Sequence, residues 1–335
     1  MATILLRSPY YETHSQPYAS PNVAKSATIT LSVGGTLISE MSKDTVLTGT
    51  TNQETGTISF EIADLCRDYL DITFDNSYTP QTIAITGTLN FKNKTVDEIN
   101  TGQTAANVGG SVGISHIGLD GYYEFMEGTG VGQNSAKTVA TSDILQDGVQ
   151  LYYPDNTVGQ IPYWNGSTIV YDSFTASATT HTVLSTAYTI NRVCNKHTAY
   201  KVTFVNKYGA LQDLYFNGRT TENIKVNKTK FKRNINNSSF QYSKQKHSIK
   251  QFNAMANEGI TLNTPPMSYD SVNESMKQLL ISEQVWIRKV IGGSEQTTPI
   301  IIVDNQQTIK TGLNDKVIQY TINAEYAFDF ISNIR

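Results

Sequence analysis

The stretch VIQYTINAEYAF, residues 317–328, alternates apolar and polar side chains over twelve positions. In an extended chain its apolar residues all point to one face, because successive side chains of a strand face opposite ways. These residues are Ile318, Tyr320, Ile322, Ala324, Tyr326 and Phe328. Twelve residues make a strand about 40 Å long, roughly twice the usual length. We therefore expect it either to cross a large twisted sheet or to pair with a neighbouring subunit.

The composition of the whole chain favours the same class of structure. Of its 335 residues, 39% are apolar and 16% are charged, and they include 19 Tyr and 23 Gly. Threonine and tyrosine favour half-buried pleated surfaces, whereas asparagine and glycine favour turns. A chain of this length exceeds the usual size of one domain. We expect a mostly β protein of two to three β-sandwich-like domains with one or two short helices.

The strand and turn patterns divide the chain into three segments. Residues 1–128 predict an N-terminal β-sandwich-like domain, with a hairpin turn at Gly34-Gly35. Residues 129–198 predict a small aromatic-rich β segment. Residues 199–335 predict a C-terminal β domain with one helix over 271–281.

Turn and helix signals give the finer expectations. The pairs Asn165-Gly166 and Asn217-Gly218 each predict a hairpin turn. Ser271-Val272-Asn273-Glu274 has the spacing of a capping box and predicts the start of the C-terminal helix. Helical spacing over residues 62–70 predicts a short helix with Asp64 and Asp68 in solvent, and the polar stretch 93–118 predicts an exposed loop or flexible arm.

Few residues have the spacing of a chemical site. The glycine-rich stretch 128–132 lacks the lysine of a phosphate loop, and the sequence has no G-x-S-x-G and no H-E-x-x-H motif. The five histidines are dispersed. The cysteines Cys66 and Cys194 predict two free, buried thiols rather than a bridge. We expect no enzyme, no catalytic residue, no cofactor and no metal ligand, with a depolymerising enzyme as a remote alternative.

Aromatic and basic residues are the candidates for an interface or a ligand. Residues 201–250 hold eleven Lys or Arg against Asp213 and Glu222, which gives a local charge of +9. Such a block could meet DNA or an acidic protein, or could be a charged strand edge that discourages pairing. Crowded aromatics could pack a core, anchor a protein interface or stack on a glycan. The candidates are Tyr152, Tyr153, Tyr163, Trp164, Lys225, Lys228, Lys230, Lys232, Arg233, Tyr320, Tyr326 and Phe328.

The N-terminal residues 1–10 contain a short apolar run that is unlike a signal peptide. No stretch of the sequence approaches the ~20 apolar residues of a membrane span. We expect a protein made in the cytoplasm that does not insert into a membrane.

Several stretches resemble structural proteins in the virions of tailed bacteriophages that infect Bacteroidetes-type bacteria. They are Arg7–Glu12, Asp120–Glu124, Val205–Arg233, Ser282–Ile287 and Lys310–Arg335. The resemblance implies a virion location and a subunit of the tail, baseplate or neck. It also implies a symmetric homo-oligomer with other virion proteins as partners. The alternative function is a carbohydrate-binding receptor or adhesin module on a phage fibre or cell surface, with a host glycan as partner.

Overall fold

We use a computed structural model, which describes residues 2–19, 22–124, 150–194, 197–267, 273–291, 294–304, 306, 308 and 318–330. Strands account for 55% of the structure and helices for 7%. The expected mostly β fold with few helices is confirmed.

The chain forms two compact units, each built from several stretches of sequence. The first unit takes Met1–Gln146, Gln160–Ser173 and Val205–Gln212, and the second takes Asp147–Gly159, Phe174–Phe204 and Asp213–Arg335. Each unit draws on more than one of the segments 1–128, 129–198 and 199–335. That three-part division stays a prediction.

Two sheets make up the N-terminal part of the first unit. The elements are β1 (Ala2–Leu5), β2 (Tyr11–Pro17), β3 (Ser26–Val33), β4 (Thr36–Asp44), β5 (Val46–Thr48), β6 (Thr55–Glu61), α1 (Ala63–Arg67), β7 (Thr82–Lys92), α2 (Val96–Asn100) and β8 (Val112–Leu119). One sheet has the order β1-β8-β7-β3-β4 and the other β2-β6-β5. Ile29 and Leu89 of the first sheet share one core with Phe60 of the second, as in a β-sandwich.

The stretch 93–118 is not the exposed loop or flexible arm predicted from its polar composition. Thr95 begins α2, where its hydroxyl accepts from Glu98 N while the Glu98 carboxylate accepts from Thr95 N. β8 then pairs with β1 and β7. The prediction was wrong because the polar residues at 95 and 98 are a capping box, and because the exposed positions of β8 are the small residues Gly113 and Ser115.

Other local predictions for this unit are confirmed. Gly34 and Gly35 form the turn between β3 and β4 with positive φ angles of 57° and 84°. The short helix α1 leaves Asp64 and Asp68 exposed. Cys66 is free and buried in the core, as predicted. Cys194 is also free, but it is exposed rather than buried.

The remaining strands form three sheets. The elements are β9 (Gln150–Pro154), β10 (Val158–Trp164), β11 (Ile169–Thr175), β12 (Thr180–Val183), β13 (Thr186–Val193), β14 (Tyr200–Val205), β15 (Leu211–Phe216), β16 (Thr221–Lys232), β17 (Ile249–Asn263), α3 (Asn273–Ile281), β18 (Val285–Ile291), β19 (Ser294–Ile302) and β20 (Thr321–Tyr326). The sheet orders are β10-β11, β12-β13-β9 and β15-β14-β18-β19-β20-β17-β16.

One face of the seven-stranded sheet is covered by α3. Met276 and Leu279 of the helix share a core with Ile260, Ile287 and Ile322 of the sheet. The helix predicted over 271–281 is therefore present as Asn273–Ile281. The capping-box residues 271–272 lie outside the described residues.

The long C-terminal strand was predicted wrongly. β20 has six residues, and the residues before it meet the chain that follows β17 only through isolated contacts. Thr264 exchanges hydrogen bonds with Tyr320, and a single bridge joins Met267 to Ile318. Between them stand Pro265 and Pro266, which have no N–H to donate, so the regular ladder stops there.

The two Asn-Gly turns have different outcomes. Asn165-Gly166 lies in the connection between β10 and β11, where Asn165 N donates to Thr168 O and Gly166 has a φ of 99°, so that hairpin is confirmed. Asn217-Gly218 does not join paired strands, because β15 and β16 lie at opposite edges of the seven-stranded sheet. Gly218 N donates instead to Asn263 O of β17.

Candidate interaction surface

The two longest strands that the structure describes, β16 and β17, extend beyond the sheet they belong to. β17 pairs with β20 over Gly259–Asn263, whereas its pairing with β16 continues from Thr261 to Ile249. β16 is an edge strand, and all twelve of its residues are exposed. Residues 223–257, called the arm below, therefore project as a two-stranded ribbon closed by the loop 233–248.

The loop at the end of the arm is ordered by its own hydrogen bonds. Asn237 Oδ1 accepts from Ser239 N at 3.0 Å and from Gln241 N at 2.9 Å. Arg233 N donates to Ser248 O at 2.8 Å, where the two strands meet the loop. Phe240, with a φ of 57°, is 87% exposed. The loop thus holds an aromatic ring in water at the end of the ribbon.

Each face of the arm mixes apolar and cationic side chains. Phe231 and Phe252 lie on one face, where their rings meet edge to face at 5.5 Å. Lys228, Lys230 and Lys232 lie at alternate positions of β16 and therefore share the other face. The exposed apolar side chains of the arm are Ile224, Val226, Phe231, Phe240, Tyr242, Ile249, Phe252 and Met255, each 40% to 87% exposed. So many in one element make the arm a candidate interaction surface.

The charge of the arm has one sign. Its 35 residues contain no Asp or Glu, and its cations are Lys225, Lys228, Lys230, Lys232, Arg233, Lys244, Lys246 and Lys250. The whole chain has 26 basic and 29 acidic residues, so the rest holds 18 basic and 29 acidic, a formal charge of −11 against +8 for the arm. The charge of the arm is therefore opposite in sign to that of the rest of the chain.

Two members of the basic block 201–250 are not part of this surface. Lys201 is buried with its Nζ 3.8 Å from Asp213 Oδ2. Lys207 is buried with its Nζ 3.1 Å from Glu124 Oε1. Both lysines are components of the folded interior, so the cationic surface predicted from the sequence is that of the arm.

The aromatic candidates are mostly enclosed. Tyr153 is buried, and its ring lies 4.9 Å from the rings of both Phe174 and Tyr215. Trp164 is buried in a core with Leu5 and Tyr208. Tyr152 and Tyr163 are half-buried. A sugar needs an open aromatic face to stack on, and the buried rings of this group do not offer one.

The aromatic candidates from the C-terminal stretch are also placed differently from one another. Tyr320 is buried and hydrogen-bonds through its hydroxyl to Asn273 Oδ1 of α3. Tyr326 is half-buried, with its hydroxyl 3.4 Å from Lys289 Nζ. Phe328 is 58% exposed. Of the three, Phe328 alone presents an open ring.

The second unit contains a cavity of about 440 Å³ beside β14 and β18. It is lined by Pro154, Thr157, Val158, Thr198, Ala199, Tyr200, Lys201, Tyr215, Arg288, Lys289 and Glu295. Its cations face carboxylates: Lys201 faces Asp213, Arg288 faces Glu295, and Lys289 faces Glu222. Because its positive charge is compensated in this way, the cavity is not matched to an anionic ligand.

In the part of the chain that the structure describes, no group of three His, Cys, Asp or Glu side chains is arranged to hold a metal ion. No family model, curated protein or solved structure matches the chain. Among the described helices, none combines the length and apolar character needed to cross a bilayer.

A buried carboxylate in the first unit joins two imidazoles. His14 Nε2 lies 2.6 Å from Glu12 Oε1, and His116 Nε2 lies 2.8 Å from Glu12 Oε2. Burial alone would raise the pKa of Glu12, but the hydrogen bonds and charges of His116 and His14 outweigh it and hold the pKa below its usual value. Burial, with the neighbouring Glu12 carboxylate, raises the pKa of Tyr10 to about 12.

We expect this group to make the first unit sensitive to acid. A carboxyl with a lowered folded-state pKa contributes stability above its unfolded pKa of about 4.3 and loses it as pH falls through the folded value. Glu12→Gln should therefore lower the free energy of unfolding by about 2 kcal/mol at neutral pH. It should also flatten the loss of stability below about pH 4.3.

Urea unfolding measured at a series of pH values tests this expectation. Glu40→Gln, which changes an exposed carboxylate of β4, is the matched control and should follow the wild-type curve. If the free energy of unfolding falls equally steeply below about pH 4.3 in wild type and Glu12→Gln, the role given to the buried carboxylate is contradicted.

Proposed function

We propose that this chain is a structural subunit of a tailed-phage virion, in its tail, baseplate or neck, and that it acts through protein–protein interfaces. The observation that carries the proposal is the arm, whose β16 strand is exposed along its whole length. A two-stranded ribbon is marginally stable alone in water. Its apolar side chains are therefore expected to be covered by a partner in the assembled state.

The size of the arm fits this role. The ten residues of β16 in the arm extend about 33 Å, and two strands with their side chains are about 10 Å wide. Each face then offers about 330 Å², and both faces together about 660 Å², which is within the range of one partner's share of a standard interface. The ribbon alone is thus large enough to hold a specific contact.

Two further observations support a virion subunit. The stretch Val205–Arg233, which resembles tailed-phage virion proteins, includes the outgoing strand of the arm. The arm carries exposed apolar side chains together with cations, a combination suited to a protein surface. The glycan-binding alternative lacks such support, because Tyr153 and Trp164 are buried. The proposal assigns the chain no catalytic role.

Purified particles test the proposal. Mass spectrometry should find the chain at a constant ratio to the other virion proteins. A shortened variant, in which residues 227–255 are replaced by Asn-Gly, joins Val226 to its register partner Ala256 through a tight turn. We expect this variant to fold with an unchanged circular dichroism spectrum and to be missing from particles.

The control for this experiment changes an exposed apolar residue outside the arm. Leu184→Ser, at the turn between β12 and β13, should enter particles as the wild type does. Two results would overturn the proposal: particles that lack the chain altogether, or particles that contain the shortened variant at the wild-type ratio.

A further inference from the structure

We infer that the arm binds a second copy of this chain, at the acidic segment 61–75 of that copy's first unit. The inference rests on the proposed function and names the partner of its interface. It depends on the opposite charges of the two surfaces, on the exposure of their side chains, and on the two-residue spacing of exposed side chains in each.

The first unit is acidic where the arm is basic. Residues 1–124 contain 13 Asp or Glu and 6 Lys or Arg, a formal charge of −7. Within them, segment 61–75 holds five carboxylates and a single cation, Arg67. The Arg67 Nε lies 3.6 Å from Asp120 Oδ1, so its charge is directed to a carboxylate outside the segment. The segment therefore presents a negative surface.

Four of the five acidic residues of the segment are exposed, and the fifth, Glu61, is half-buried and accepts from Ala63 N. Asp64 and Asp68 lie on the exposed side of α1 and just beyond its end. Farther along, Ile72 and Phe74 are buried, while the residues on either side of them, Asp71 included, are exposed. This alternation has the same two-residue period as the lysines on one face of β16. A strand laid along the segment could therefore meet carboxylates at more than one point.

The segment also offers aromatic surface. The ring of Tyr69, between two exposed carboxylates, is 51% exposed. The arm brings Phe231, Phe252 and Met255, which would otherwise stay in water. Aromatic and methionine side chains are enriched at the centres of protein interfaces, with charged residues at the rim. Both surfaces thus combine apolar centres with opposite charges.

A protein partner accounts for the arm better than a nucleic acid. Phosphates could neutralise the lysines, and bases could stack on Phe240 or Tyr242. The aliphatic side chains Ile224, Val226 and Ile249 would remain exposed in that case. The acidic segment of a second copy covers apolar and cationic side chains together. The β16 strand of the arm is not covered by its own chain, since each of its residues is exposed.

A charge exchange between two variants tests the inference. The first variant, Lys228→Glu with Lys230→Glu and Lys232→Glu, reverses one face of the arm. The second, Asp64→Lys with Asp68→Lys and Asp71→Lys, reverses the segment. All six side chains are exposed, so both variants should fold and melt as the wild type does.

Sedimentation velocity gives the self-association of each protein. We expect the wild type to associate and each variant alone to associate at least about tenfold more weakly, because attraction becomes repulsion at three charge pairs. An equal mixture of the two variants should recover wild-type affinity within about threefold, since the unaltered arm of one variant meets the unaltered segment of the other and the two reversed surfaces also match. Raising the salt from about 0.05 M to about 0.5 M should weaken both complexes.

Arg192→Glu with Lys277→Glu reverses two exposed charges outside the arm and should leave association unchanged. A wild type that is monomeric at every concentration, or a variant mixture that stays dissociated, would overturn the inference. It would also be overturned if the arm variant lost binding to labelled DNA, by fluorescence anisotropy, while its self-association was unaltered.

Failure of the inference can be told apart from failure of the proposed function. If the charge-reversed variants associate as expected but the chain is missing from purified particles, the inference holds and the virion role is overturned. A chain that is present in particles only with an intact arm, yet does not self-associate, keeps the virion role and overturns the inference.

Discussion

Asp213→Leu is expected to lower the free energy of unfolding of the second unit by about 3–5 kcal/mol, because it removes one partner of a buried ion pair. Lys201 and Asp213 are 5% and 7% exposed, and Lys201 Nζ lies 3.8 Å from Asp213 Oδ2. The other carboxylate oxygen, Oδ1, accepts from Thr203 Oγ1 at 2.6 Å. Leucine repeats the branched heavy-atom skeleton of aspartate, so the variant chiefly loses the charge and the acceptor.

The loss should depend on pH in a definite direction. Burial lowers the pKa of Lys201, and the Asp213 carboxylate partly opposes that effect. Without Asp213 the charged lysine is buried with less compensation, so its folded-state pKa falls further below the unfolded value. The variant should therefore regain stability as pH rises towards the unfolded pKa of about 10.4, above which the lysine is neutral in both states.

Urea unfolding with a double-variant cycle measures the pair. Lys201→Met combined with Asp213→Leu should recover most of the lost stability, because an apolar pair leaves no buried charge. Asp155→Leu is the matched control: it breaks an exposed pair with Arg192 at 3.2 Å and should cost less than about 1 kcal/mol. A cost of less than about 1 kcal/mol for Asp213→Leu would show that this pair behaves like a surface one.

The sequence predicts side-chain faces better than strand lengths. Ile318, Tyr320 and Ile322 are all buried, as their alternation indicates, because each must pack on the same core. The length of the strand depends on its partner as well. Pro265 and Pro266, more than fifty residues earlier in the chain, interrupt the ladder and limit β20 to six residues. Periodicity within one stretch carries no information about such a partner.

The sequence likewise predicted only part of the arm, because its exposed face follows from local periodicity but its projection from the sheet does not. Lys228, Lys230 and Lys232 alternate along the sequence, and a charged strand edge was one of the alternatives for the basic block; β16 is an edge strand and is exposed. Its projection from the sheet depends on the long β17 being paired with the much shorter β20, a relation between distant segments. Burial of Lys201 and Lys207 likewise depends on carboxylates placed by the fold. Counting charge along the sequence therefore groups these two interior lysines with the arm.

Asn206→Ala should destabilise the first unit by about 2–6 kcal/mol, because it removes the acceptor of two buried N–H groups at about 1–3 kcal/mol each. Asn206 is fully buried, and its Oδ1 accepts from Tyr208 N and from Ala210 N, both at 3.0 Å. Its own backbone N donates to Ala210 O at 2.8 Å, which closes a tight turn around Gly209 with a φ of 76°.

Another asparagine in the chain provides the comparison. Asn165 Oδ1 accepts from Ser167 N at 3.0 Å and from Thr168 N at 2.9 Å, but this turn is exposed. Water can replace the lost acceptor there, so Asn165→Ala should cost less than about 1 kcal/mol by thermal unfolding. The same side-chain geometry thus has two expected costs that differ through burial alone. If both variants lose the same stability, desolvation of the two N–H groups is not what stabilises the turn at Asn206.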